Sequence, residues 1–357
     1  MIGPPTPITD RARWNEALAA LPCRHVLQTW EWGEFKSRWG WQPVRLLWAG
    51  ARRPLAAAQV LRRAIPGTPW GMMYVPKGPA LDYEDLATVR QVLTALAGFA
   101  RARRAIFIKI DPDVARSYGA TSENDNVLAQ PVLDCLAAQG WRFSSQQIQF
   151  RNTIVIDLSV DEDALLARMK GKWRYNIRLA ARKGVTVSQG GAEELPAFYR
   201  LYAQTSRRNG FLIRPEAYYL DLWSQFMAAG RASLILARVG PEPVAGLILF
   251  HFEDTAWYMY GASSDRYRNL MPNYLLQWEV MQLARRLGCR RYDMWGAPDA
   301  FDESDPMWGV YRFKAGFGGE LIRGLGAFDF PTNRVAYWAY VVGLPRLLRL
   351  KRRAIGR

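Results

Sequence analysis

The residues with the most chemistry to offer are basic and aromatic. The stretch Arg168–Lys183, RMKGKWRYNIRLAARK, places seven bases in sixteen residues. In a helix, Arg174, Arg178 and Arg182 recur every four positions and share one face, and Lys172 belongs to the same run. Trp173 and Tyr175 are interleaved, which suits RNA recognition by backbone charge and base stacking. It equally suits a solvated helical face with core aromatics. Two carboxylates follow strand-like runs, Asp111 in KIDP and Asp293 in RRYDMWG. Asp111 is a candidate general base if it is buried near a substrate, although carboxylates at strand ends more often cap turns. Cys23, Cys135 and Cys289 are far apart, and His25 and His251 are the only histidines. That inventory gives no disulfide framework and no zinc clip, and it offers no evident Ser/His or Cys/His dyad. No metal and no cofactor is expected.

The elements that must carry these residues read as one unit written twice. Strand patterns at Pro43–Trp48, Leu55–Leu61 and Gly71–Val75 precede a helical pattern over Tyr83–Arg103, and a strand over Ala105–Ile110 closes the unit. About 190 positions later the order recurs: strands at Ser233–Val239, Val244–Phe252 and Trp257–Gly261, a helix over Asn273–Leu287, and a strand over Arg291–Trp295. Antiparallel strands followed by a crossover helix imply an α+β fold in which each mixed sheet has one parallel connection. This is the layout of an acetyltransferase core, so two tandem acetyltransferase-like (GNAT-type) domains are expected. Between the units, Asp161–Arg182 reads as one helix, with its acids in the first turn and bases after them. Glu193–Asn209 and Pro215–Ala229 read as two more. Glu320–Phe330 reads as a strand returning to the first sheet. The expected boundaries are 1–145 plus 318–357 for the first domain and 146–317 for the second.

A coenzyme-A-dependent enzyme of this fold needs a glycine-rich turn before its central helix, because backbone N–H groups cradle the pyrophosphate there. The corresponding turns here are VPKGPA (75–80) and RNLMPN (268–273). They hold one glycine between them, and their prolines lack the N–H. Acetyl-CoA is therefore a poor donor candidate. GFGG at 316–319 precedes no helical pattern and reads as a turn.

The chain has 357 residues, half of them hydrophobic, with 48 Lys and Arg against 32 Asp and Glu, a net +16. This allows about two domains and a large core, and it excludes general disorder. The positive excess favours partners that carry phosphate: nucleic acid, anionic membrane or nucleotide-linked substrates. No apolar run reaches the roughly 18 residues of a membrane span. The first ten residues lack a secretory pattern, so a cytoplasmic protein is expected. The segment 335–344 is apolar and ends in Pro345 and a basic cluster. It reads either as an interfacial helix with Tyr337, Trp338 and Tyr340 at an anionic leaflet, or as a helix docked on the first domain.

Five separated blocks carry a family resemblance: WEWGEFKSRWGW (30–41), KWRYNIRLAARKGV (172–185), FLIRPEAYY (211–219), YMYGASSDRYRNLMPNYLLQWEVM (258–281) and YRFKAGFGGE (311–320). In order and content they resemble the Fem-type (FemABX) aminoacyltransferases that build peptidoglycan interpeptide bridges. The helical-hairpin arm of some relatives has no counterpart here. The resemblance implies transfer of an amino acid (glycine, alanine or serine) from aminoacyl-tRNA to the stem-peptide amine of lipid II or UDP-MurNAc-pentapeptide. Lys36 resembles the lysine that holds the precursor diphosphate, Arg214 its arginine partner, Tyr218 a neighbour of that arginine, and Tyr260 the tyrosine bordering the peptide channel. Phe313 and Lys314 resemble the pair at the reacting end, with Lys314 suited to oxyanion stabilisation. The basic run Lys172, Arg174, Arg178 and Arg182 would then meet tRNA, and the tail would meet the inner face of the membrane. Two other readings fit the same fold: an acyl-CoA-dependent N-acyltransferase, and a non-catalytic RNA- or membrane-binding module.

Overall fold

Two mixed sheets, each built around one parallel strand pair, organise a computed structural model of the chain that describes residues 2–120, 124–343 and 346. Two units result. The first comprises residues 1–116, 126–149 and 325–357, and the second 117–125 and 150–324.

In the first unit, Gln42–Ala49 and Pro54–Ala64 form a long antiparallel hairpin, and Gly71–Val75 pairs with its second arm. The chain then crosses over through the helix Leu86–Ala102 and returns as Ala105–Ile110, parallel to Gly71–Val75. The helix starts later than the apolar spacing suggests because Asp85 caps it, accepting from the Thr88 N–H at 3.1 Å and from the Thr88 hydroxyl at 2.6 Å. Its face of Val89, Val92, Leu93, Leu96 and Ala100 is buried against the sheet. The sheet is completed from the far end of the chain, where Phe328–Pro331 pairs antiparallel with Ala105–Ile110. A buried ion pair fixes that strand: Lys109 and Asp329 lie 2.7 Å apart, and Lys109 also donates to the Ser144 hydroxyl and, at 3.0 Å, to the Gln146 carbonyl.

The second unit repeats the plan. Ala232–Val239, Glu242–Phe252 and Thr255–Ser263 run antiparallel, the helix Pro272–Arg286 crosses over, and Arg291–Asp293 lies parallel to Thr255–Ser263. Beyond it the sheet continues with Asn152–Asp157 and Glu320–Gly324.

Three sequence expectations need correction. Asp161–Arg182 is two helices, Glu162–Arg168 and Gly171–Arg182, because Met169 and Lys170 are extended. Met169 is buried, and the Lys170 N–H donates to the Gly316 carbonyl at 2.9 Å instead of continuing the helix. Glu320–Phe330 is likewise two strands: Glu320–Gly324 belongs to the second sheet, and Phe328–Pro331 alone returns to the first. The closing strand expected over Arg291–Trp295 stops at Asp293; farther on, Trp308–Ala315 forms a short helix.

After Phe328–Pro331, Asn333 caps the helix Arg334–Trp338, and the Tyr337 hydroxyl donates to Asp329 at 2.9 Å. Tyr337 and Tyr340 pack on Phe107, so both face the first sheet, whereas Val335 and Trp338 point outward. The basic cluster beyond Arg346 lies outside the described residues. Among the described residues no helix is long and apolar enough to cross a membrane.

Candidate active site

In the second unit the site forms where the parallel pair splays. Trp257 is paired with Asp293, and there Arg291–Asp293 ends while its neighbour runs on through Tyr258 and Tyr260. Met294 and Ala297 donate backbone N–H groups to Ile154 and Asn152, so the chain keeps hold of the adjoining strand on both sides of Trp295–Gly296. Those two residues bulge out in the left-handed region, with φ of 56° and 34°. For Trp295 this is a strained conformation, and Asp293 holds it by accepting from the Trp295 N–H at 2.7 Å.

The carbonyls of this turn meet Lys314, in the last turn of Trp308–Ala315. Its ammonium donates to the Trp295 carbonyl and, at 2.7 Å, to the Gly296 carbonyl, and it lies 5.7 Å from the centre of the Tyr258 ring. Lys314 is buried, and burial pushes it down to about 7 while the Asp293 charge pulls it back up. An ammonium has three N–H groups, so with two held by carbonyls the third has a defined direction. Burial also pushes Tyr258 up to about 12. Phe313 packs edge-on against Tyr274 and Phe317, and its carbonyl accepts from the Trp173 indole at 2.9 Å. The helix Gly171–Arg182 is thereby tied to the helix that carries Lys314.

Arg214 is exposed, just ahead of the helix Glu216–Ala228, and its guanidinium lies 4.9 Å from the Tyr218 ring. Burial pushes Tyr218 up to about 12, against the lowering effect of the Arg214 charge. Backbone contacts to the Tyr199 and Tyr219 hydroxyls hold Arg214 in place. A helix N-terminus beside a guanidinium favours an anion. Tyr260 sits within a cluster of Tyr202, Tyr219, Trp223 and Phe250, all within 6.0 Å between ring centres.

The basic run is less uniform than its spacing suggests. Arg174 is half-buried and donates to the carbonyls of Leu166, Ala167 and Met169, satisfying the C-terminus of the preceding helix. The exposed positions are Lys172, Tyr175, Arg178 and Arg182, with the Arg182 guanidinium 6.0 Å from the Tyr175 ring.

In the first unit Lys36 ends the helix Trp30–Arg38, its ammonium 4.7 Å from the Trp32 ring and 5.2 Å from Phe35. Asp111, one residue past Ala105–Ile110, is buried and accepts from the Tyr74 hydroxyl at 3.2 Å. Burial raises its carboxyl, with the nearby Lys77 charge opposing.

Sequence reasoning missed the Trp295–Gly296 carbonyls, Tyr258, Tyr74 and Thr153, whose hydroxyl donates to Asp293. The local signal for the turn was the string DMWG, an acid two residues before a residue whose N–H it caps, followed by glycine. The partners of Lys314 had no such signal. Among the described residues, no group of three or more His, Cys, Asp or Glu is placed to hold a metal.

Comparison with known proteins agrees with this architecture. A lipid II:glycine glycyltransferase of Staphylococcus saprophyticus is 26% identical, across 96% of this chain and 97% of its own length. A protein of the same name from Staphylococcus haemolyticus is 26% identical, across 93% and 94%. Among solved structures, the crystal structure of FemX superposes with a TM-score of 0.82 at 24% identity, covering 92% of this chain and 98% of that one. A tandem GNAT protein from the clavulanic acid biosynthesis pathway gives 0.55 at 13% identity, covering 91% and 97%, a likeness of fold alone. Residues 14–242 and 238–342 match the FemAB family, and with two GNAT-like domains in the same order this chain belongs to that family.

Proposed function

We propose that this protein transfers an amino acid from aminoacyl-tRNA to the stem-peptide amine of a peptidoglycan precursor, building an interpeptide bridge. The observation that carries the reading is Lys314: a buried ammonium aimed by two carbonyls, in a chain that aligns over nearly its whole length with lipid II:glycine glycyltransferases. Those relatives favour lipid II as acceptor and glycine as the residue moved. An aminoacyl ester is already activated, so aligning amine and carbonyl supplies much of the barrier lowering. The remaining needs are a proton acceptor and a donor for the tetrahedral oxyanion. The third N–H of Lys314 serves as that donor, Phe313 lines the reacting end, and Asp111, whose raised carboxyl titrates closer to neutrality, serves as proton acceptor. Lys36 and Arg214 contact the precursor diphosphate, with Tyr218 and Tyr260 bordering its path. Lys172, Tyr175, Arg178 and Arg182 contact the tRNA. Outward Val335 and Trp338, with the basic sequence after them, would meet the anionic leaflet that carries a lipid-linked acceptor.

An acyl-CoA donor is disfavoured at both crossover helices. The Asp85 carboxylate already occupies the N-terminus of Leu86–Ala102. Pro272 opens Pro272–Arg286 without an N–H, and the Tyr274 N–H is spent on Met271. The test is incubation with a mixture of charged tRNAs, acetyl-CoA and lipid II, followed by mass measurement of the acceptor. A gain of one amino-acid residue is expected. An unchanged acceptor, with acetyl-CoA instead consumed, would overturn the proposal.

A further inference from the structure

Asp293 has a task that capping a turn does not exhaust. One oxygen of its carboxylate accepts both the Trp295 N–H, at 2.7 Å, and the Thr153 hydroxyl. Thr153 lies on Asn152–Asp157, the strand that Met294 and Ala297 grip on either side of the turn. The chain of contacts therefore runs Thr153, Asp293, Trp295–Gly296, Lys314. Each link is a hydrogen bond, and the Lys314 end is buried. A side chain cannot readily replace the hydrogen of Gly296, because a Cβ there would sit 3.0 Å from the Phe150 ring.

We propose that Asp293 is the positioning residue for Lys314, fixing the left-handed Trp295–Gly296 turn whose carbonyls aim the ammonium and standing behind it as its counter-charge. This deepens the reading above and rests on it for its consequence in catalysis. Burial alone drives a lysine toward the neutral amine. Asp293 is the charge that opposes this, and Lys314 settles at about 7. The charged and titratable groups facing Lys314 are Asp293, from the strand Arg291–Asp293, and the Tyr258 phenol, from Thr255–Ser263. Tyr258 is pushed up by burial to about 12, so it stays neutral wherever Lys314 titrates.

The test is a titration of the Lys314 Nζ resonance in protein carrying 15N-lysine, assigned by its disappearance in Lys314→Met. Asp293→Asn keeps an acceptor for the Trp295 N–H and removes only the charge. The midpoint should fall by about one unit or more in this variant, because loss of the carboxylate charge leaves burial unopposed. Thr153→Val keeps the charge and frees the carboxylate. Its midpoint should stay within about half a unit of wild type, while kcat for glycine transfer from glycyl-tRNA to lipid II falls ~10-fold with little change in KM, the signature of a misaimed group. A folded Asp293→Asn variant with an unmoved midpoint overturns the proposal and leaves Asp293 a turn cap. Should Asp293→Asn not fold, an unaltered kcat in Thr153→Val overturns it instead. Full transfer by Lys314→Met would instead sink the catalytic reading while leaving the titration result standing, so the two failures are distinguishable.

Discussion

Replacing Lys314 with Met tests the electrostatic account of the site, and the informative quantity is how the effect changes with pH. Lys314 titrates at about 7 in the folded chain against an ordinary 10.5. Between those values the unfolded chain binds the proton and the folded chain does not, so stability rises with pH through the window. The penalty is fully present below about 7 and vanishes as pH approaches 10.5. One unit corresponds to ~1.4 kcal/mol, so the whole shift amounts to about 5 kcal/mol. Methionine escapes that penalty but strands the Trp295 and Gly296 carbonyls, at ~1–3 kcal/mol each. Near pH 7 the two effects are of similar size, so the sign of the stability change there decides little.

Its slope decides more. The stability of Lys314→Met minus that of wild type should decrease by about 1 kcal/mol per pH unit from about pH 7.5 to 9. His25 and Asp111, whose titrations are also displaced by burial, are present in both proteins and cancel from the difference. Urea unfolding at a series of pH values, with equal m-values in the two proteins, measures it. A difference flat with pH refutes the claim that a buried, partly neutralised lysine sits here. In the transfer assay the same variant should lose ~10²–10³ in kcat, the loss expected when one oxyanion donor is removed. An unaltered kcat would dismiss its catalytic role.

Asp329→Ala strands Lys109 in the core of the first unit and should cost about 3–5 kcal/mol in urea unfolding, whereas a loss under 1 kcal/mol would mean that Ser144 and Gln146 suffice for the ammonium. Arg174→Ala and Arg178→Ala should separate cleanly. The first loses stability by ~1–2 kcal/mol, because carboxyl-end carbonyls of the preceding helix lose their donor, whereas the second keeps stability and weakens tRNA binding with a shallower salt slope. Equal behaviour of the two in melts and filter binding would contradict that division. Lys36→Ala and Arg214→Ala should each weaken lipid II binding by about 1.5–3 kcal/mol with the fold intact, since each removes a charged donor. Unchanged affinity in both would remove them from the diphosphate site. Gly316→Ala would set a Cβ 2.1 Å from the Trp173 ring, displacing the indole from the Phe313 carbonyl. A loss of ~1–3 kcal/mol and altered tryptophan fluorescence are expected, and a neutral substitution would show that this contact is dispensable.

The repeated unit was legible because its signals are local. Alternation marks the hairpins, apolar spacing marks both crossover helices, and each falls within a few residues of its observed bounds. Departures occur where a distant partner decides. Nothing within Asp161–Arg182 announces that the Lys170 N–H will pair with Gly316, so the break in that helix has no local signature. Glu320–Phe330 has continuous strand character but serves two different sheets, a matter of pairing and not of propensity. In the basic run, composition identifies a charged face, yet only packing consumes Arg174 and spares Arg178. Lys36, Arg214 and Lys314 entered through resemblance to a family. The partners that hold the Lys314 ammonium are carbonyls supplied by a turn 18 residues away.

Each unit sets a carboxylate near the end of the strand that follows its crossover helix, and the two are held differently. In the first sheet Tyr74 pairs with Lys109, and Asp111 follows at the strand end, where it accepts from the Tyr74 phenol. In the second, Trp257 pairs with Asp293, which spends an oxygen on Thr153 and the Trp295 N–H and stands behind an ammonium. Desolvation acts alike at both places but on groups of opposite sign, raising the Asp111 carboxyl and lowering the Lys314 ammonium. Each is thereby moved toward the range where a group can gain or lose a proton near neutrality. Attack of an amine on an ester needs both capacities, a group to accept the amine's proton and a group to answer the charge on the carbonyl oxygen.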